Sequence, residues 1–273
     1  MRDHVYPITK LDDERVSIYT KYRDAELLHI NEPKRGYFIA ETPVVIERVL
    51  DHFADPISFF AEENEYNTEA VRNVIDKAGD GVDVYTAPLS VIREITGYNL
   101  TRGLLAAFER PALPDAETML ASASCVAVLE ETVNPTNVGA IFRSAAALGV
   151  DAVLLTHGTT DPLYRRASRV SMGTVFQIPW TYVEKDRDLI ELLHGAGFTV
   201  ISMELTEDAV PLTDPVLKEN GKRAIVFGTE GAGVKKETLL RSDHIAVIPM
   251  FNGVDSLNVA ASSAVTFWEL CGK

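Results

Sequence analysis

Basic charge is what this chain lacks most. Against 40 aspartates and glutamates stand 26 lysines and arginines, a formal net charge of −14 over 273 residues. Neutralising phosphates takes clustered Lys and Arg, so an indiscriminate nucleic-acid binder is excluded. Long apolar runs are missing too. None approaches the roughly 20 residues that span a bilayer, and the opening MRDHVYPITK carries no signal-peptide core. The reading is a cytoplasmic protein with no membrane partner. Cysteine is nearly absent: Cys125 and Cys271, far apart in sequence, suggest neither a disulfide framework nor a cysteine metal site. The histidines are scattered without ligand spacing, so no metal is expected.

What is present supports a folded protein, since 46% hydrophobic residues is enough to build sizeable cores. Charge is distributed unevenly. Glu62, Glu63 and Glu65 crowd one stretch and Arg165, Arg166 and Arg169 another, so a local basic patch can sit on an acidic protein whose bulk charge suppresses non-specific binding. Apolar spacing predicts an amphipathic helix over Leu11 to Ile30. Short units then alternate: strands at Tyr37 to Ala40, Ile57 to Phe60, Val82 to Thr86 and Gly103 to Phe108, and helices after Pro43, Thr68 and Pro88. RPALPDA from Arg110 cannot continue either kind of element. The expected domains are therefore 1–110 and 120–273, joined by a linker over 111–119.

Past the linker, apolar strands are expected at Cys125 to Leu129, Val153 to Leu155, Val175 to Ile178, Thr199 to Met203, Ala224 to Phe227 and Ile245 to Ile248. Helices fall between most of them. Such a pattern implies a mainly parallel α/β sheet with helices on both faces. Ligands bind beyond the carboxyl ends of such strands.

Three stretches start at such ends. NPTNVGAIFRSAAALGVDAVLLT (Asn134 to Thr156) places Arg143 four residues after Gly139 on one helical face, where it is either a solvated arginine or a group meeting a substrate across the gap the glycine leaves. Asn134 and Asn137 flank Pro135 as turn or cap residues. IVFGTEGAGV (Ile225 to Val234) is a glycine loop between strand and helix with neither dinucleotide nor P-loop spacing, since Val234 stands where a P-loop needs lysine. Glu230 in it can bond loop amides. IPMFNGVDSLNVAASSA (Ile248 to Ala264) offers an apolar frame (Ile248, Met250, Leu257), Ser256 as a helix N-cap, and a run of small residues that permits close approach. Between the first two stretches, Arg165 and Arg169 share a helical face and can grip phosphates or remain solvated.

In order and residue type, these stretches resemble the three signature motifs of the SpoU/TrmH class of the SPOUT superfamily, S-adenosylmethionine-dependent RNA ribose 2′-O-methyltransferases. The resemblance runs from about Ser124 to the end. It implies a trefoil-knotted catalytic domain, a homodimer formed through it, and an N-terminal ribosomal-protein-like α/β domain that holds RNA, matched in the segment ITGYNLTRGLLAAFER. In the last helix the small face of Ala260, Ala261 and Ala264 with apolar Phe267 and Trp268 either serves that interface or completes the monomer core. The resemblance has consequences for single residues too. It assigns Asn137, Arg143, Glu230, Ser256 and Asn258 to the catalytic site, Thr156, Gly228, Thr229, Gly231, Ile248, Met250 and Leu257 to S-adenosylmethionine, and Arg165, Arg166 and Arg169 to the rRNA or tRNA substrate. Two rivals stand beside it: a methyltransferase acting on a base, and an RNA- and cofactor-binding protein without catalysis.

Overall fold

The computed structural model describes residues 4–96 and 103–272. It resolves into two compact units, one of residues 1–112 with 163–176 and one of 113–162 with 177–273. The chain therefore leaves the second unit after Pro162 and re-enters it at Gln177.

In the first unit, β1 (Val5–Pro7), β2 (Tyr37–Glu41), β3 (Pro56–Glu62), β4 (Asp83–Ala87) and β5 (Leu104–Glu109) form a mixed sheet in the order β1-β4-β3-β5-β2. β5 runs antiparallel to both β2 and β3. β1 was not foreseen; three residues with one apolar alternation give almost no periodic signal. The single opening helix expected over Leu11 to Ile30 is instead a 3-10 turn at Glu14–Val16 followed by two short helices, α1 (Ser17–Thr20) and α2 (Asp24–His29). Side-chain caps cause the break: Asp13 accepts from the Arg15 N–H, and Glu26 accepts from the Arg23 N–H, restarting the helix. Helices α3 (Pro43–His52), α4 (Glu63–Tyr66), α5 (Glu69–Lys77) and α6 (Leu89–Thr96) complete the unit. Residues 97–102 of the segment ITGYNLTRGLLAAFER lie outside the described residues. Val16, Tyr19, Leu27, Ile39, Phe60 and Leu105 make one core. A second aromatic cluster joins Phe38, Phe53 and Phe108 to Phe176.

The second unit opens with α7 (Ala116–Ala121), which occupies part of the segment read as linker and is capped by Asp115. Then follow β6 (Cys125–Leu129), α8 (Pro135–Ala147) and β7 (Ala152–Leu155). After β7 the chain contributes α9 (Arg165–Val170) and a 3-10 turn at Thr174–Phe176 to the first unit. A strand was expected at Val175 to Ile178. Phe176 is instead drawn onto Phe38 and Phe53, and the strand, β8, begins after Pro179, at Trp180–Tyr182. The remaining elements are α10 (Leu189–Gly195), β9 (Thr199–Met203), β10 (Val210–Pro211), β11 (Arg223–Phe227), α11 (Lys236–Arg241), β12 (His244–Val247) and α12 (Val259–Leu270). The seven strands run in the order β10-β12-β9-β11-β6-β7-β8, and every neighbouring pair is parallel.

β6 is buried at all five residues and β11 at its last four, as a strand covered on both faces must be. On one face Leu120, Val126, Leu154, Leu193, Val200 and Val226 pack together. On the other, Phe227 meets Phe267 edge to face, and Phe142 meets Trp180. Phe267 thus belongs to the core of its own chain, while Trp268 is 73% exposed. The cysteines require a second correction. Cys125 at the start of β6 and Cys271 just past α12 are joined by a disulfide across 146 residues of sequence, a contact that only the return of α12 brings about. Among the described residues, no helix is long and apolar enough to cross a membrane.

Candidate active site

The carboxyl ends of β9, β11 and β12 open into a cavity of about 440 Å³. Its walls are the glycine loop that follows β11, the segment after β12 and the first turn of α12. Each glycine in the loop answers a separate constraint. A side chain on Gly228 would overlap the backbone of Gly233 and Val234. Gly231 and Gly233 sit at φ +83° and +70°, the left-handed region that other residues enter at a cost. The loop closes on itself, for Thr229 and Gly233 exchange backbone hydrogen bonds of 3.1 and 2.9 Å. Gly231 has no atom within 4 Å of where its Cβ would stand, so its backbone faces open space.

The third stretch supplies Ile248, Met250, Ser256, Leu257 and Asn258 to the same cavity. Ser256 is not the helix cap expected. Asn258 caps α12, accepting from the Ala260 N–H at 3.0 Å, while Ser256 stays in the exposed preceding loop. The side-chain amide of Asn258 also donates to Asn137 Oδ1 at 3.3 Å. Asn137 is buried in the first turn of α8, which Asn134 caps, and α8 packs along α12. That bond ties the first stretch to the third. Asn137 Nδ2 is buried without a partner of its own, so the junction retains an unsatisfied donor next to Asn258 on the cavity wall.

Not every expected residue gathers here. Thr156 lines a separate groove with Glu131 and His157, where its hydroxyl accepts from the Glu131 N–H at 3.0 Å. Arg143 is exposed on α8, does not line the cavity, and has no hydrogen bond or ion pair among the described residues. Arg165 donates to Asp24 through Nε and its backbone N–H, at 3.0 and 3.1 Å. Arg169 pairs at 3.4 Å with Glu41, which is 2% exposed. Arg166 is exposed on the same helix.

Two carboxylates escaped the sequence reading. Glu204, one residue beyond β9, lines the cavity and accepts from the Val234 N–H at 2.8 Å. Glu130, one residue beyond β6, is buried and accepts from the Lys235 N–H and the Thr238 hydroxyl at 2.7 and 2.6 Å. Their position just past a parallel strand, where ligand sites gather, was the available signal. Glu230 lines the cavity and is exposed; it does not hold the loop amides as its place among glycines suggested.

A pocket beyond the ends of parallel strands, walled by a glycine loop and the first turn of a helix, defines an α/β protein with a ligand-sized cavity against its sheet. Comparison with known proteins says which kind. The SpoU rRNA Methylase family model matches residues 124–268, and the chain belongs to that family. An uncharacterised tRNA/rRNA methyltransferase of Mycobacterium tuberculosis is 37% identical over 236 residues, covering 86% of this chain and 81% of its own length. The Bacillus subtilis 23S rRNA (guanosine(2553)-2′-O)-methyltransferase RlmP is 31% identical over 57% of this chain and 61% of its own length. Among solved structures, an AdoMet-bound rRNA methyltransferase from Sinorhizobium meliloti superposes with a TM-score of 0.80 at 24% identity. It covers 98% of this chain and 97% of that one, so the likeness extends over both units.

Proposed function

We propose that the protein transfers a methyl group from S-adenosylmethionine to a ribose 2′-hydroxyl of structured rRNA or tRNA. The observation that carries this reading is the single cavity shared by the glycine loop and the third stretch and linked to the first through Asn258 and Asn137. Its features suit the cofactor. Ile248, Met250 and Leu257 provide apolar wall for an adenine ring and a thioether-like chain, and Gly231 presents backbone with clear space above it. When bound, S-adenosylmethionine supplies an electrophilic methyl on a sulfonium.

The chain's own residues then have to align an oxygen with that methyl and ease the loss of a poorly acidic proton. Ser256 and Asn258 stand on the cavity wall where an acceptor ribose would meet the cofactor, and the bond to Asn137 holds Asn258 in place. Glu230, exposed on the same wall, places a carboxylate where it can meet the acceptor. Arg143 is the positioning cation: an arginine is too basic to serve as a resting base, but its fork can hold a ribose oxygen and an adjacent phosphate together. Arg166, exposed on α9, can meet RNA phosphate together with Arg165 and Arg169.

The reading extends to a homodimer and to a trefoil knot. Val265 and Trp268 leave apolar area exposed on α12, beside the helix that carries Arg143. β12 pairs with β9 while α12 returns to pack on α8 and β11, a return that supports the knotted reading. Nucleoside mass spectrometry of RNA from a deletion strain tests the function. A missing 2′-O-methyl nucleoside is expected; a missing base-methylated nucleoside, or no change, would replace the proposal with one of its rivals.

A further inference from the structure

The glycine loop is tied down by carboxylates from both neighbouring strands. β11 lies between β9 and β6 in the sheet, and each neighbour ends one residue before a glutamate: Glu204 after β9, Glu130 after β6. The two reach in from opposite sides and take consecutive amides, Val234 by Glu204 at 2.8 Å and Lys235 by Glu130 at 2.7 Å. On the Glu204 side the approach is so close that a Cβ on Gly233 would overlap Oε2. The other carboxylate oxygen of Glu204 accepts from its neighbour's N–H, Leu205, at 3.1 Å, which fixes the group's orientation. Glu204 lines the cavity, whereas Glu130 is buried away from it.

We propose that Glu204 is a positioning residue of the cofactor site: its carboxylate latches the end of the glycine loop so that the loop's backbone stays presented to the cavity, while Glu130 anchors the same loop to the core as a fold element. The proposal rests on the cofactor reading above. Its physical basis is that a charged acceptor on a backbone N–H is among the stronger hydrogen bonds, and that a loop with three glycines has the most conformational freedom to lose on being ordered. Without the latch, a ligand must order the loop itself.

The test compares Glu204→Ala, Glu204→Gln and Glu130→Ala. It uses calorimetric binding of S-adenosylmethionine, the cofactor KM, thermal melting, and amide hydrogen exchange at Gly233 and Val234. Glu204→Ala should weaken cofactor binding by roughly ten- to a hundred-fold, the range for losing one hydrogen bond to a charged group. The loss should fall on KM more than on kcat, with faster exchange at Val234 and little change in melting. Glu204→Gln, whose amide oxygen can still accept, should recover most of the affinity. Glu130→Ala should lower melting first. Because Gly233→Ala collides with Glu204, the double variant Gly233→Ala/Glu204→Ala should bind no worse than Gly233→Ala alone. Unchanged exchange and affinity in Glu204→Ala, or a loss confined to melting, would overturn the latch. If the wild-type protein fails to bind S-adenosylmethionine but Val234 exchange still accelerates in Glu204→Ala, the latch stands and the cofactor reading falls.

Discussion

Arg143 and the pair Arg165/Arg169 have the same chemistry and the same kind of helical placement, yet the structure treats them oppositely. Arg165 and Arg169 are matched to Asp24 and to the buried Glu41, carboxylates more than a hundred residues earlier in the chain. Arg143 stands exposed with no partner among the described residues. Helical spacing tells which charges share a face. It does not tell whether a distant segment has already neutralised them. A cation answered inside its own unit holds the fold, and one left unanswered on a helix surface is free to meet a partner from outside the chain.

The sharpest test of this contrast is Arg143→Lys, which keeps the charge and loses the fork. Turnover should fall by roughly 10²- to 10⁴-fold, the range for groups acting in proton transfer, with cofactor affinity nearly unchanged in a parallel calorimetric titration. Near-wild-type turnover would make Arg143 an ordinary solvated helix arginine. Arg169→Ala should behave in the opposite manner. Removing one partner of a buried ion pair costs about 3–5 kcal/mol, and since Arg169 is itself one-third exposed, a urea denaturation should show about 2 kcal/mol of lost stability. Weaker RNA binding with stability intact would instead make Arg169 a phosphate contact and break the comparison.

Tyr19 calibrates what a fully answered polar group is worth in the first unit. Its buried hydroxyl donates to the Ser58 carbonyl at 2.7 Å and accepts from the Ala107 N–H at 3.2 Å. Tyr19→Phe should cost about 1–2 kcal/mol by strand-partner groups left unsatisfied. Burial pushes the hydroxyl well above the usual tyrosine range, so this contribution is complete below about pH 10 and is lost as pH rises toward the folded-state value. A pH series of chemical denaturations reads it directly. The smallest effect belongs to a half-buried pair near the surface, Asp188 with Arg241. Arg241 beside it, helped by the Glu191 N–H, holds the Asp188 carboxyl below the usual carboxylate value. Its stabilisation is therefore present above about pH 4 and fades as pH falls through the folded-state value. Solvent screening keeps it under about 1 kcal/mol, and NMR titration of Asp188 should show the depressed midpoint.

The strands of the second unit were legible because burial on both faces writes near-continuous apolar runs, and Cys125–Leu129 and Thr199–Met203 emerge with the expected bounds. The glycine loop was legible because sterics leave few residues able to occupy positions 228, 231 and 233. Elements whose form is set by distant partners were not. Phe176 lies in an apolar run that periodicity assigns to a strand, and only Phe38 and Phe53 reveal why it turns instead. The same holds for the Cys125–Cys271 contact and for Glu204, whose partner amide lies 30 residues away. Ser256 and Asn258 compete as caps on equal local terms, and the bond to Asn137 favours the second.

The excursion of residues 163–176 into the first unit bears on how the protein is made. Synthesis runs from the N-terminus, so when residue 112 leaves the ribosome the sheet β1–β5 is already available, but Phe38 and Phe53 still lack Phe176 and the Glu41 carboxylate still lacks Arg169. Those partners arrive some sixty residues later, by which time β6, α8 and β7 have also been made. The first unit is consequently finished in the middle of the second one's synthesis. A gene fragment ending at the interdomain proline stretch would encode a sheet whose aromatic face lacks Phe176 and whose Glu41 lacks Arg169, whereas adding residues 163–176 back as a separate peptide supplies both.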